Sequence, residues 1–259
     1  MINFNYNTYE YIDAHCHIED KSFNKNREEI VSNAKSKNVG IITSGATYGG
    51  CLRGLEYSKK YNIGLTLGYH PSGVKSDDKV ISKVYNLISG NINNILAIGE
   101  VGLDINVKDI NRQEEIFKKF LNLSKSSNKP VVIHARGLEE RCYKIFNEIT
   151  KNEVKCLFHC YSGNISLAKK ILDDDNFISI STLVCFSKFH QDLIKNIDLK
   201  NVVVETDSPY LSPIKGEKNQ PVNVILSVKK IFKLKKEEGY SYDEVREIIL
   251  ENTRRFYRI

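Results

Sequence analysis

Tyr11-Ile-Asp-Ala-His-Cys-His-Ile18 is the stretch from which the fold can be read. As a β-strand it alternates sides, which puts Asp13, His15 and His17 on one face and Ala14, Cys16 and Ile18 on the other. Imidazole is the commonest protein ligand for transition metals, and a buried strand has little structural reason to carry an Asp-x-His-x-His face. On this stretch alone two readings stand open: half of a metal site, or a pair of histidines satisfied by hydrogen bonds. The rest of the chain decides between them.

Outward from it, strand and helix patterns alternate. A helical run over 26–38, with Ile30, Val31 and Ala34 on one side, leads to a β-branched run over 39–47. Helix 51–61, strand 63–69, helix 79–88 and strand 95–100 follow. Residues 112–127 form an amphipathic helix on Ile116, Phe117, Phe120, Leu121 and Leu123. Then come strand 130–134, helix 139–151, strand 155–161, helix 165–173, strand 177–183, a short helix over 191–197 and strand 201–205. Two more helices, 221–240 and 242–257, make the tail. Eight strands, each followed by a helical segment, predict a parallel sheet. Eight of them within 259 residues predict a closed (β/α)8 TIM barrel, an α/β fold, as a single domain over 1–259 with an extra C-terminal helix.

Composition excludes several classes. A hydrophobic content of 41% with 27% charged residues fits a soluble globular protein, and no apolar run is long enough to cross a bilayer. Residues 1–10 are polar and lack the basic start and apolar core of a signal peptide, so a cytoplasmic location is expected. The six cysteines are scattered without a C-x-x-C pair and read as reduced thiols. Cys156 and Cys160 flank His159, but the second pair that a structural zinc site needs is missing. The net charge of +6 comes largely from lysines spread over helices and reads as solvated faces; only Arg254, Arg255 and Arg258 concentrate arginine. Neither a membrane nor an obligate protein partner is indicated.

Once the strands are drawn, the polar residues gather at their carboxyl ends. His15 and His17 end the first strand, His70 the third, Glu100 the fourth, His134 the fifth, His159 the sixth, and Glu205 and Asp207 the eighth. Only His190, in a predicted loop, falls elsewhere. A barrel brings these positions to one face, where barrel enzymes keep their chemistry. So many imidazoles and carboxylates would be costly to desolvate together unless a cation lay among them. Their number exceeds what one catalytic ion needs, which predicts two divalent ions, with zinc, manganese or magnesium all compatible. A carboxylate such as Glu100 can bridge such a pair, and paired ions serve hydrolysis, especially of phosphate esters.

These motifs resemble the TatD family of metal-dependent deoxyribonucleases, within the amidohydrolase-like barrel hydrolases. The resemblance covers nearly the whole chain: Asp13-x-His-x-His17, Gly68-Tyr-His-Pro71, Gly99-Glu-Val-Gly-Leu-Asp104, His134-x-Arg136, His159-Cys-Tyr-Ser-Gly163, Glu205-Thr-Asp-Ser-Pro209 and Asn219-Gln-Pro-x-Asn-Val224. It implies that His15, His17, Glu100 and Asp207 hold one ion and that Glu100, His134 and His159 hold the second. It also implies that His70 and Arg136 grip the substrate phosphate, and that Glu205 lies near the metals. Asp13 is expected below the histidines, orienting an imidazole. Gln220, where a glutamate is common in the family, touches no proposed ligand.

The implied activity is phosphodiester hydrolysis, a 3'-5' exonuclease type of deoxyribonuclease acting on single-stranded or nicked DNA. Glu100, Asp207 and Glu205 are the catalytic carboxylates, with Asp207 or Glu205 as the base. The alternative is hydrolysis of a C–N or carboxylic ester bond, such as removal of D-amino acids from transfer RNA. A barrel acting only as a binding module is disfavoured by the complete ligand set.

Overall fold

The computed structural model describes residue 6 and residues 8–259. Among these residues eight strands run parallel, paired in sequence order: β1 (Tyr11–Cys16), β2 (Val39–Gly45), β3 (Gly64–Tyr69), β4 (Ala97–Asp104), β5 (Val131–Arg136), β6 (Cys156–Phe158), β7 (Phe177–Ile180) and β8 (Val202–Val204). At the seam β8 returns beside β1. There the Asp207 N–H donates to the His15 carbonyl at 3.0 Å and the His17 N–H donates to the Ser208 carbonyl at 2.7 Å. Helices α1 (Arg27–Ser36), α2 (Tyr48–Tyr61), α3 (Asp78–Gly90), α4 (Ile110–Ser127), α5 (Glu139–Thr150), α6 (Ile165–Asp173), α7 (Lys188–Asn196) and α8 (Val224–Lys235) follow the strands in turn, and α9 (Tyr242–Tyr257) is the extra helix. The chain is a (β/α)8 TIM barrel, as its alternation predicts.

Strand alternation sorts side chains into two cores. Ile12, Ala14, Ile42, Ala97, Val132, Leu157, Phe177 and Val203 come from seven strands and meet in one cluster, so they fill the barrel interior. Phe256 and Tyr257 at the end of α9 close it from below, and the Tyr257 hydroxyl donates to the Ala14 carbonyl at 2.7 Å. The intervening residues, such as Ile41, Ile98, Val131, Ile133, Phe158 and Val204, pack outward against the helices.

Several boundaries differ from the sequence expectation, each for a physical reason. β4 runs on to Asp104, because Gly99 and Gly102 are close-approach positions rather than turn signals. At Gly102, with φ +152, a Cβ would collide with the His134 carbonyl on β5. α2 begins at Tyr48, where the Thr47 hydroxyl caps the Gly50 N–H at 3.0 Å despite the glycines. The expected helix over 221–240 is three pieces: a single turn at Pro221–Asn223, then α8, then a turn that ends at Gly239 with φ +93. His190 lies inside α7, not in a loop; it is buried, and its Nδ1 is 2.8 Å from the Ser187 hydroxyl.

The large apolar side chains left exposed among the described residues are not scattered. Tyr48 and Leu52 follow β2, Ile105 follows β4, Phe186 and Phe189 follow β7, and Tyr210 and Ile214 follow β8. All lie in the loops, or in the first two turns of the helices, that follow strand carboxyl ends, and Tyr210 lines the cavity above the polar residues.

Candidate metal centre

The site is the next layer up the same inward faces. His134 stands two residues above Val132, His159 two above Leu157, and Glu205 two above Val203. On β1 and β4 the rise is irregular. The β1–β2 register shifts between Asp13 and Cys16, and the β3–β4 and β4–β5 registers shift just before Val101. Each irregularity changes the phase of the strand, a bulge that re-aims side chains. Simple alternation over 11–18 therefore fails. Ala14 and His15 both face the interior, Cys16 turns to the outer core, and Asp13 is out of phase with the histidines. Asp13 orients no imidazole. Its carboxylate accepts the Thr206 N–H at 2.8 Å and the Thr206 hydroxyl at 2.5 Å, which ties β1 to β8 at the seam beside Asp207. Burial pushes its pKa well up.

The expected ligands come together around Glu100. Glu100 Oε2 lies 2.7 Å from His159 Nε2 and 3.3 Å from His134 Nδ1, and these two nitrogens are 3.1 Å apart. On the other side, His17 Nε2 is 3.6 Å from Glu100 Oε1 and 3.4 Å from Asp207 Oδ1. His15 Nε2 is 4.0 Å from Glu100 Oε2 and 3.9 Å from Asp207 Oδ1. The donor atoms of Glu100, His134 and His159 form one group that could hold an ion, and those of His15, His17 and Glu100 form another. Asp207 joins His15 and His159 in a third grouping. Glu100 is thus common to both halves.

Residues behind the ligands fix which nitrogen faces the centre. His17 Nδ1 donates to the Ser44 carbonyl at 2.9 Å and lies 3.2 Å from Glu19 Oε1, leaving Nε2 for an ion. His134 Nε2 is 3.3 Å from Asp104 Oδ2, leaving Nδ1. Glu205 is fully buried beneath His159, 3.5 Å from its Nδ1, and accepts the Ser179 hydroxyl at 2.5 Å. Sequence reasoning gave no role to Asp104 or Glu19, although the alternate spacings His15-His17-Glu19 and Glu100-Gly102-Asp104 carry the signal.

Whether a cation fits can be judged from His15. It is fully buried, and neither ring nitrogen has a hydrogen-bond partner among the described residues. Such an imidazole is costly unless something else satisfies it. Its ring stacks on His159 at 4.3 Å between centroids, and its Nε2 looks toward two carboxylates across gaps too wide for hydrogen bonds. Donor atoms sharing one ion at about 2.1 Å stand roughly 3 to 4 Å apart, as these do. The donor set of imidazoles and carboxylates suits zinc or manganese.

Electrostatics point the same way. Burial opposes a charge on His17, but Glu19, Asp207 and Glu100 outweigh it and hold its pKa well above the usual imidazole value. Burial is likewise overridden at His159, by Glu100 and Glu205, and at His134, by Asp104 and Glu100. Glu100, despite burial, is held well below the usual carboxylate range by His159 and His134. For His15 burial wins, helped by His159, and its pKa falls well below the usual value. Hydrogen bonding to His134 lowers Asp104 to about 2. The carboxylates attract positive charge that, without a metal, only protons supply.

The centre opens into a cavity of about 570 Å³. His70, Arg136, Asp207 and Tyr210 line it, together with Arg53, whose Nε donates to the Glu19 carbonyl at 2.8 Å. The Nδ1 of His70 accepts the Ser72 N–H at 3.0 Å, and burial lowers this imidazole to about 4. Glu205 does not reach the cavity.

The described family TatD related DNase matches residues 12–258. The chain belongs to this family. Within it, the chain is 58% identical over 249 residues to an uncharacterized metal-dependent hydrolase of Methanocaldococcus jannaschii, covering 96% of this chain and 97% of that protein. It is 28% identical over 262 residues to the human protein named deoxyribonuclease TATDN3, covering 95% of this chain and 94% of that one. In three dimensions it superposes on the TatD homologue YJJV of Escherichia coli with a TM-score of 0.88 at 22% identity, covering 100% of both chains. In this chain the ligand-type side chains converge at the carboxyl ends of the barrel strands.

Proposed function

We propose that the chain is a metal-dependent phosphodiesterase of the deoxyribonuclease type. The observation that carries this is the convergence of His15, His17, Glu100, His134, His159 and Asp207 around an unpartnered buried imidazole, at the base of a cavity with Arg53 and Arg136 on its wall. His15, His17, Glu100 and Asp207 would hold one ion, and Glu100, His134 and His159 the second. Bound there, divalent ions supply Lewis acidity toward a phosphoryl oxygen and acidify the attacking water.

The chain's own groups do the rest. Arg136 offers a planar fork that matches two phosphate oxygens. His70 is neutral at pH 7; with its Nδ1 accepting from Ser72, the proton sits on Nε2, which can donate to a phosphate oxygen. Asp207, open to the cavity, is the better situated carboxylate to take a proton from the attacking water. Glu205, sealed under His159, orients that imidazole instead.

The test is turnover of end-labelled single-stranded DNA in magnesium, manganese and zinc, beside a D-aminoacyl-tRNA in the same buffers. DNA cleavage that requires added ion is expected, and the labelled ends give the direction of digestion. Turnover of the aminoacyl-tRNA alone would overturn the proposal.

A further inference from the structure

Beyond β7 and β8 three aromatic rings are left partly uncovered: Tyr210 beside the metal centre, Phe186 in the loop after β7, and Phe189 at the start of α7. Tyr210 lines the cavity, is 54% exposed, and sets its ring edge-on to His17 at 6.1 Å between centroids. Phe186 is 56% and Phe189 43% exposed; both follow Leu183, which lines the same cavity.

The rings are exposed, yet their loops are firmly held. The Tyr210 N–H donates to the Asp207 carbonyl at 2.9 Å, so the ring rides on the same turn as the candidate ligand. The Thr182 hydroxyl donates to the Leu211 carbonyl at 2.6 Å, and the Asn219 side-chain amide donates to Thr182 Oγ1 at 2.9 Å and to the Thr206 carbonyl at 2.8 Å. These buried bonds lock the β7 and β8 loops to each other. An aromatic ring held still in water costs free energy that packing would normally recover, and about half of each of these rings stays uncovered.

The occupant is fixed by what adjoins them. Arg53 and Arg136 offer positive charge on the cavity wall, and the ligand cluster marks where the reacting bond must sit. Cations for a backbone and flat apolar rings beside them are the two elements of single-strand recognition, because every base has a face to stack. A base inside a duplex has both faces covered by its stacked neighbours, so the ring would select bases that have left the stack. We infer that Tyr210 stacks on the nucleobase next to the scissile phosphate, and that Phe186 and Phe189 extend this platform to the bases beyond.

This rests on the phosphodiesterase reading, so the test separates the two. Cleavage and binding of a short oligothymidylate are compared with those of a baseless strand of tetrahydrofuran phosphodiesters of equal length. Cleavage is followed as KM and kcat in manganese, and binding by fluorescence anisotropy in EDTA. Wild type should favour the thymidylate strand about 10-fold in both KM and affinity, the scale of one base–aromatic stack. Tyr210→Ala should remove most of that preference while its manganese content is retained, Tyr210→Trp should keep it, and Phe186→Ala should weaken it less. Equal binding of the two strands by wild type, no binding of either, or a preference undiminished by Tyr210→Ala would overturn the platform. A preference that depends on Tyr210 without cleavage of either strand would leave the platform standing and overturn the phosphodiesterase.

Discussion

The lower and upper halves of the barrel interior are built by the same strands, yet their chemistry is opposite. Below, Ile12, Ala14, Val132, Leu157, Phe177 and Val203 form an apolar plug sealed by α9. Above, a rise of two residues turns Val132 into His134, Leu157 into His159 and Val203 into Glu205. The plug lowers the free energy of folding by removing apolar surface from water. The upper layer does the reverse: it buries charges and leaves His15 without a hydrogen bond. One half therefore stabilises the frame in which the other is held at a cost, the usual relation between scaffold and active site.

That contrast can be broken from either side. The largest effect on folding is expected from the plug: Phe177→Ala should cost about 3–5 kcal/mol in denaturant unfolding, yet leave ion uptake by the folded protein unchanged. Loss of ion affinity in that variant would mean the halves are not separable. A smaller effect, confined to the upper layer, is expected from Asp104→Asn. His134 would lose its charged partner, and ion affinity should fall about 10- to 100-fold by titration calorimetry, with little change in unfolding.

Acid should act on the upper layer alone. His17, His134 and His159 hold protons more tightly than free imidazole in the metal-free protein, and an ion must displace them. Ion affinity should therefore rise with pH until these groups are deprotonated and fall steadily on acidification, with protons released on binding. Affinity that does not change with pH would exclude imidazole ligands. The smallest effect is expected from Cys16→Ala. Its thiol points into the outer core and donates only to the Ile42 carbonyl at 3.5 Å, so a cost of roughly 1 kcal/mol in stability and none in ion uptake is expected.

The frame and the cluster were legible because both depend on period. Apolar runs of alternating type give strand order, and polar residues at strand ends give the face on which they meet. What alternation could not convey were its interruptions. The β1 bulge reverses the side of Asp13, and the register shift at β4 seats Glu100 within a strand that runs on to Asp104 rather than at its end. Nor does spacing along one strand reveal partners across the barrel. The Asp104–His134 and Glu205–His159 pairs, and the seam bond from Asp13 to Thr206, exist only once the sheet closes. Arg53 and Tyr210 sit outside the strand pattern altogether, in an outer helix and a loop.

Glu100 is where the two candidate ion positions meet, so it tests the centre most directly. Manganese or zinc titrated into metal-free wild type and into Glu100→Ala should show two ions taken up per wild-type chain. The variant should lose tight uptake, and its cleavage of labelled single-stranded DNA should fall at least about 100-fold. Near-normal ion uptake and cleavage by Glu100→Ala would contradict a shared two-ion centre.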